Sequence, residues 1–273
     1  MHLAHATRIP TFVGLHLKHH ILGHEICSTD YRTTLDVMDI QKAFQEVYLR
    51  ELMDSSAGNE LREALEATSA DERRGLEEFK KMISHCQNQL AIIQNSISAK
   101  GPTKEIMCRK RAFEEEQTIL NIAALTHQCN YETKAYQLLL YFEKNENIRA
   151  QIMGNVSVMM YEWCEKLLGI SGKPLQNIAK RLLDQAGVIR INVARKKISN
   201  FFKREKQNLH DIRIIVGAHK DGVFMKQREV IDEMSWSDTL AQFHSFEDAT
   251  VEFGRALKPL MDAGLKQVSA SFV

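Results

Sequence analysis

Apolar residues recur along this chain at helical spacing for most of its length, and nowhere does an alternating, strand-like pattern hold. The clearest stripe is Leu76, Phe79, Ile83, Cys86, Leu90, Ile93 and Ile97, three and four apart over three heptads, the seam of a coiled-coil-like pairing. Gly101-Pro102 breaks it, and a second long helix is expected from about Lys104 to Phe142. Two long helices with so short a connection should fold back as an antiparallel hairpin. Core packing is the expected use of that hairpin, and dimerisation is the alternative. Upstream, Met38 to Met53 reads as one helix, ended by the polar SSAGN, and a shorter piece follows around Glu60 to Ala67. Ser69 and Glu72 then have the spacing of a capping box, which places a helix start there.

Downstream, Asn145 to Leu168 forms another amphipathic helix, with Ile148, Ile152, Val156, Met159, Trp163 and Leu167 on one face. Gly169 and Gly172 mark a break, Pro174 opens the next helix, and this leads through Gly187 into a basic segment, Arg195 to Gly222. There Ile191, Ile198, Phe202, Leu209, Ile212 and Val216 fall on one stripe, while Lys196, Lys197, Lys203, Arg204 and Lys206 stay mostly outside it. A helix near Met225 to Met234, a break at SWS and a last helix from about Asp238 to Ala263 complete the chain, with Gly264 preceding a frayed tail. The expected fold is all-α, a helical bundle with a long antiparallel hairpin.

Composition supports that class: 4 prolines, 13 glycines and 26% charged residues give neither the turn density of a β protein nor the polarity of a disordered chain. The net charge of +1 hides a segregation. Lys173 to Lys220 holds twelve lysines and arginines against three acids, whereas Asp221 to Val273 holds five against nine. One surface should therefore attract anions beside an acidic one. Five widely spaced cysteines fit a reduced, cytoplasmic setting, and no apolar run reaches the roughly 18 residues of a membrane span. The expected organisation is a histidine-rich arm, residues 1–37, and an all-α bundle, residues 38–273, in which residues 170–273 carry the functional helix. His16, His20 and His24 would line one helix face beside Glu25 and Cys27, as a metal site requires. Gly14 and Gly23 weaken that helix, so a flexible arm without metal is the preferred reading, and translation from Met38 is a third.

Functional chemistry concentrates at the end of the basic helix. At about 100° per residue, Arg213 and His219 lie about 60° to either side of Val216, so both edge the buried stripe. Gly222 reads as a helix stop, which puts His219 in the last turn, where the helix dipole favours imidazolium. An Arg followed by five residues and a His occurs twice, the second case being Arg204 and His210. The segment DIRIIVGAHKD resembles the arginine-to-histidine motif of the HEPN superfamily, helical domains that include metal-independent ribonucleases of abortive-infection, toxin–antitoxin and other antiviral defence systems. It departs from that motif at Ile214, where a polar residue is common.

The resemblance implies RNA cleavage at a cleft between two protomers. Metal-free cleavage needs a base for the 2′-hydroxyl proton, an acid for the 5′ oxygen and positive charge on the phosphate. A single Arg-His set cannot supply all three, and a homodimer pooling two Arg213 and two His219 can. His219 would then be the acid/base and Arg213 the transition-state cation, with Lys220 and Asp221 steering or orienting and no cofactor required. Arg195, Lys196, Lys197, Lys203, Arg204, Lys206 and Lys220 would track RNA phosphates. A solvated helix face and a structural Arg-His pair are the plain alternatives, and a non-catalytic helical module binding RNA or a partner protein, such as an antitoxin, is the alternative function. No phosphate-binding glycine loop, nucleophile elbow or HExxH helix is present.

Overall fold

The computed structural model describes residues 46–217, 229–231 and 233–272, and every regular element among them is helical. The described residues divide between Thr68 and Ser69 into two compact units. In the first, a helix covering residues 46–53 turns at residues 54–55, with Leu49, Met53 and Leu65 buried. The turn is held by Ser55, whose hydroxyl donates to the Leu52 carbonyl at 2.6 Å and accepts from the Gly58 N–H at 3.3 Å. The long helices are α1 (Ser56–Lys100), α2 (Lys104–Phe142), α3 (Glu146–Ile170), α5 (Gln185–Gly217) and α6 (Trp236–Ala270), with a short α4 (Lys173–Leu182) between α3 and α5. No helix among the described residues is long and apolar enough to cross a membrane.

The punctuation that shapes these elements is local. Gly101 takes φ 79°, a left-handed conformation that glycine adopts without strain, and its N–H returns to the Ile97 carbonyl at 2.9 Å. Thr103 then caps α2 by accepting from the Ile106 N–H at 3.2 Å. Asn145 and Ser235 cap α3 and α6 in the same way. Four expectations are corrected. Ser69 and Glu72 start no helix, because α1 runs through them and Glu72 turns to α2, its Oε2 2.5 Å from His127 Nδ1. Of the two glycines expected to mark a break, Gly169 lies inside α3, and the chain bends at the other, at Ser171-Gly172. The helix opened by Pro174 does not lead unbroken through Gly187: it ends at Leu182, and α5 starts afresh after Leu183-Asp184, where Asp184 accepts from the Gly187 N–H at 2.8 Å. Gly264 ends nothing: α6 continues to Ala270, and the residues after it are held by α2. There the Arg109 Nε donates to the Ser271 carbonyl at 2.8 Å and the Phe272 ring meets Phe113 at 5.9 Å.

In the second unit the predicted hairpin forms in antiparallel register. Phe79, Cys86 and Ile93 of α1 interlock with Phe113, Leu120 and Ala123 of α2. α2 is also one of four helices that close a ring, each antiparallel to its neighbours, in the order α2, α3, α5, α6. Trp163 of α3 donates to Glu132 of α2 at 2.6 Å. Phe202 of α5 packs on Tyr161 of α3 at 5.3 Å, and Val216 on Gly154. Phe201 of α5 meets Phe246 of α6 at 5.7 Å. The last seam, α6 on α2, runs the full length of both: Ser271 beside Arg109, Gly264 on Glu116, Gly254 on Thr126, Glu247 on Lys134 and Trp236 on Leu140. Phe243, Phe246, Phe253, Leu140, Met160 and Leu167 fill the interior, each at most 1% exposed.

Trp236 locks one end of this ring. Its indole N–H donates to the Leu140 carbonyl at 3.0 Å, and the Arg149 guanidinium stacks on the ring at 4.3 Å while itself donating to the Glu143 carbonyl. One side chain of α6 thus ties the end of α2 to the start of α3. Replacing Trp236 with Ala should lower unfolding free energy by about 3–5 kcal/mol, whereas Trp236→Phe, which keeps the ring and loses the hydrogen bond, should cost about 1 kcal/mol. Urea unfolding followed by circular dichroism separates the two; equal costs would show that the hydrogen bond, and not the packing of the ring, matters there.

Candidate functional site

α5 positions the sequence-predicted basic residues by burying the opposite side of the same helix. Ile191, Ala194, Ile198, Phe201, Phe202, Leu209, Ile212 and Val216 are all buried. Lys196, Lys197, Lys203, Arg204 and Lys206 are exposed, as the stripe requires. Their states differ. Lys197 pairs with Glu252 of α6, and Arg204 with Glu205, 2.5 Å away, itself bonded to Gln242 of α6 at 3.0 Å. Lys206 lies 5.4 Å from the centre of the Phe202 ring, and Arg204 5.7 Å from that of Phe201. Arg195 is only half-exposed, its Nε donating to Ser171 Oγ at 3.2 Å, so it ties α5 to the end of α3. Lys196 and Lys203 carry no ion pair among the described residues. Phe201 and Phe202 are both buried, which leaves neither as a platform for stacked bases.

Arg213 sits at the margin of the stripe, half-exposed, with its guanidinium 5.0 Å above the Tyr161 ring of α3 and its Nε 3.6 Å from Glu162 Oε1. The Tyr161 hydroxyl is committed to Glu165 at 3.0 Å, and burial, with that carboxylate beside it, pushes its pKa up. The ring is therefore a neutral shelf beneath the arginine. One turn earlier, His210 lies against the same ring, centroids 5.7 Å apart, and its Nδ1 is buried without a hydrogen-bond partner among the described residues. Arg204 and His210, the second match to the motif spacing, have different partners, one on Glu205 and the other on Tyr161. His219, Lys220 and Asp221, the Gly222 stop and the histidine-rich arm lie outside the described residues, as does most of the Met225 to Met234 segment. A depression of about 200 Å³ between α2 and α3 has Glu132, Tyr136, Asn155 and Glu162, the acid beside Arg213, in its lining, and its acidic rim is unsuited to phosphate.

Sequence reasoning missed a buried polar cluster that joins α2 to α6. Buried Lys134 reaches Glu247 and donates to Gln137 at 3.2 Å, and Gln137 donates to Glu247 at 3.4 Å. His244 Nδ1 is 3.5 Å from the same carboxylate, and its Nε2 is 2.5 Å from the Tyr141 hydroxyl. Burial alone would raise the Glu247 pKa; the bonds from His244 and Lys134 outweigh it and hold the group below the usual carboxylate range. Tyr141 is pushed up by burial. Hydroxyl, imidazole and carboxylate in line resemble a catalytic relay, but the hydroxyl is buried and the carboxylate is neutralised by Lys134. The cluster is a structural clasp. Its signal in the sequence was Lys134, Gln137 and Tyr141 at helical spacing on one face of a long helix. Burial raises the Cys86 thiol to about 11 and the Cys164 thiol to about 12, which leaves Cys108 as the exposed thiol among the described residues, and no three His, Cys, Asp or Glu among them are grouped for a metal.

Removing one partner of a buried ion pair strands the other. Lys134→Met should therefore destabilise the protein by about 3–5 kcal/mol, and Lys134→Met combined with Glu247→Leu should recover most of that loss. Chemical unfolding of the four proteins in a double-mutant cycle checks this, and additive losses would contradict a shared clasp. Compared with known proteins, the chain matches no family model, no curated protein and no solved structure.

Proposed function

We propose that α5 carries RNA along its outward basic face, and that the chain acts as a metal-independent endoribonuclease at a cleft where Arg213 and His219 of two copies meet. The observation that carries this reading is the pinned arginine: a half-exposed guanidinium held on Tyr161, on the same helix as exposed Lys196, Lys203, Arg204 and Lys206. An arginine fixed in this way offers charge to a phosphorane-like transition state without reorganising. His219 exchanges the protons, and Lys220 and Asp221, which follow it in the chain, steer or orient. The HEPN resemblance of DIRIIVGAHKD supplies the reaction, with 2′,3′-cyclic phosphate and 5′-hydroxyl ends, and the reduced, cytoplasmic defence or toxin–antitoxin setting.

A second reading, a non-catalytic helical module for RNA or a partner protein such as an antitoxin, is favoured by one observation. Ile214, beside the arginine, is 55% exposed, an apolar contact surface where the motif commonly has a polar group. The two readings separate on purified protein incubated with mixed RNAs in excess EDTA. The nuclease reading expects cyclic-phosphate ends from the wild type and a loss of about 10²–10⁴-fold in rate for folded His219→Ala, with Arg213→Ala similarly impaired. Cleavage that survives both substitutions, or RNA bound tightly and never cut, would defeat it.

A further inference from the structure

Three helices of the second unit converge on one acid that no partner satisfies. Glu116 of α2 is 1% exposed, and neither carboxyl oxygen has a hydrogen-bond partner among the described residues. α1 presents Cys86, close enough for the two ionisations to oppose each other. α6 presents Gly264, and a Cβ there would overlap Glu116 Oε2 and approach Ile119 Cδ1 to 3.0 Å. One turn on, Gln267 sends its amide to the neighbouring acid, Glu115, at 3.2 Å, leaving its own carbonyl oxygen buried and unpartnered. The nearby cations are also committed to Glu115, namely Arg181 of α4 and Arg111 at 3.0 Å. Glu116 thus faces a thiol, a glycine and aliphatic carbon, with no counter-ion among the described residues.

We propose that Glu116 is a proton-controlled joint: protonated, it lets the last turns of α6 lie flat on α2, and ionised, it drives them off. The physical ground is the cost of a bare carboxylate in a dry site, which the protein escapes by keeping the proton or by admitting water. Only a helix with glycine at 264 can approach so closely, so the same contact that seals the joint withholds solvation from the acid. Burial raises the carboxyl pKa from 4.5 to about 7. The sign follows from proton counting: between the ordinary carboxylate pKa and about 7 the closed form holds a proton that the open form has released. Closure is fully favoured below that window, weakens as pH rises through it, and is flat above it. The segment that opens is the end of α6, residues 260–272, with its partner stretch of α2 around Phe113 and the packed Met261 and Val268.

Hydrogen exchange of the full chain at pH 6 and pH 8, corrected for intrinsic rates, reads the opening directly. Exchange in residues 260–272 of the wild type should rise by about tenfold between the two pH values, while Glu116→Gln keeps the pH 6 protection at both. Equal protection of the wild type at both pH values, or the same rise in Glu116→Gln, would overturn the proposal. Should the variant fail to fold, the titration of the Glu116 carboxyl carbon in wild-type protein decides it by ¹³C spectroscopy. A midpoint near 7 supports the joint, and one near the ordinary glutamate value refutes it.

Discussion

The contact between α2 and α6 is the constraint on which the rest of the bundle depends. These helices lie antiparallel along their whole length, about 58 Å for the 39 residues of α2. The seam is unusually polar for an interior: Trp236 on a carbonyl, Tyr141 on His244, Lys134 on Glu247, Gly254 against Thr126 and Asn130, and Gly264 on Glu116. Apolar residues would pack the same surfaces in several registers. Paired charges and glycine approaches permit only one, since a shift by a turn would bury Lys134 without Glu247 and place a side chain over Glu116. With α6 held this way, α5 can rest on α6 and α3 in a single rotation, and that rotation decides which residues of α5 face outward.

The outward face of α5 follows from the seam. Phe201 against Phe246 and Phe202 against Tyr161 turn the helix so that Lys196, Lys203 and Lys206 project into solvent and Arg213 falls on the Tyr161 shelf. Ion pairs to α6 and to its own Glu205 already occupy Lys197 and Arg204. A phosphate chain binding there must compete with those carboxylates, which makes Lys196 and Lys203 the least encumbered contacts.

Elements bounded by local chemistry were legible in the sequence. Both ends of α2 are marked by Gly101-Pro102 before it and by the break before Asn145 after it, and the buried stripe of α5 was readable from Ile191 to Val216 because period and burial coincide. Signals that depend on a distant partner were not legible. Ser69 and Glu72 have the spacing of a cap, but Glu72 spends its carboxylate on His127. Gly264 looks like a helix end until Glu116, 148 positions earlier, is seen to need a residue without a Cβ. Lys134 and Glu247 are 113 residues apart, and no spacing rule connects them. For the candidate site, exposure of the basic residues was legible from periodicity, whereas the Tyr161 shelf, supplied by another helix, was not.

The central claim is that the outward face of α5 meets RNA, and the salt dependence of binding tests it most directly. Affinity for a single-stranded RNA is measured across a range of KCl by fluorescence anisotropy, in a His219→Ala background so that the strand stays intact, with and without Lys196→Ala, Lys203→Ala and Lys206→Ala. Each phosphate contact contributes about 0.7 to the slope of log affinity against log salt on a single strand. The account predicts a slope shallower by about 2 in the triple variant. Identical slopes and affinities would place the RNA elsewhere and contradict it.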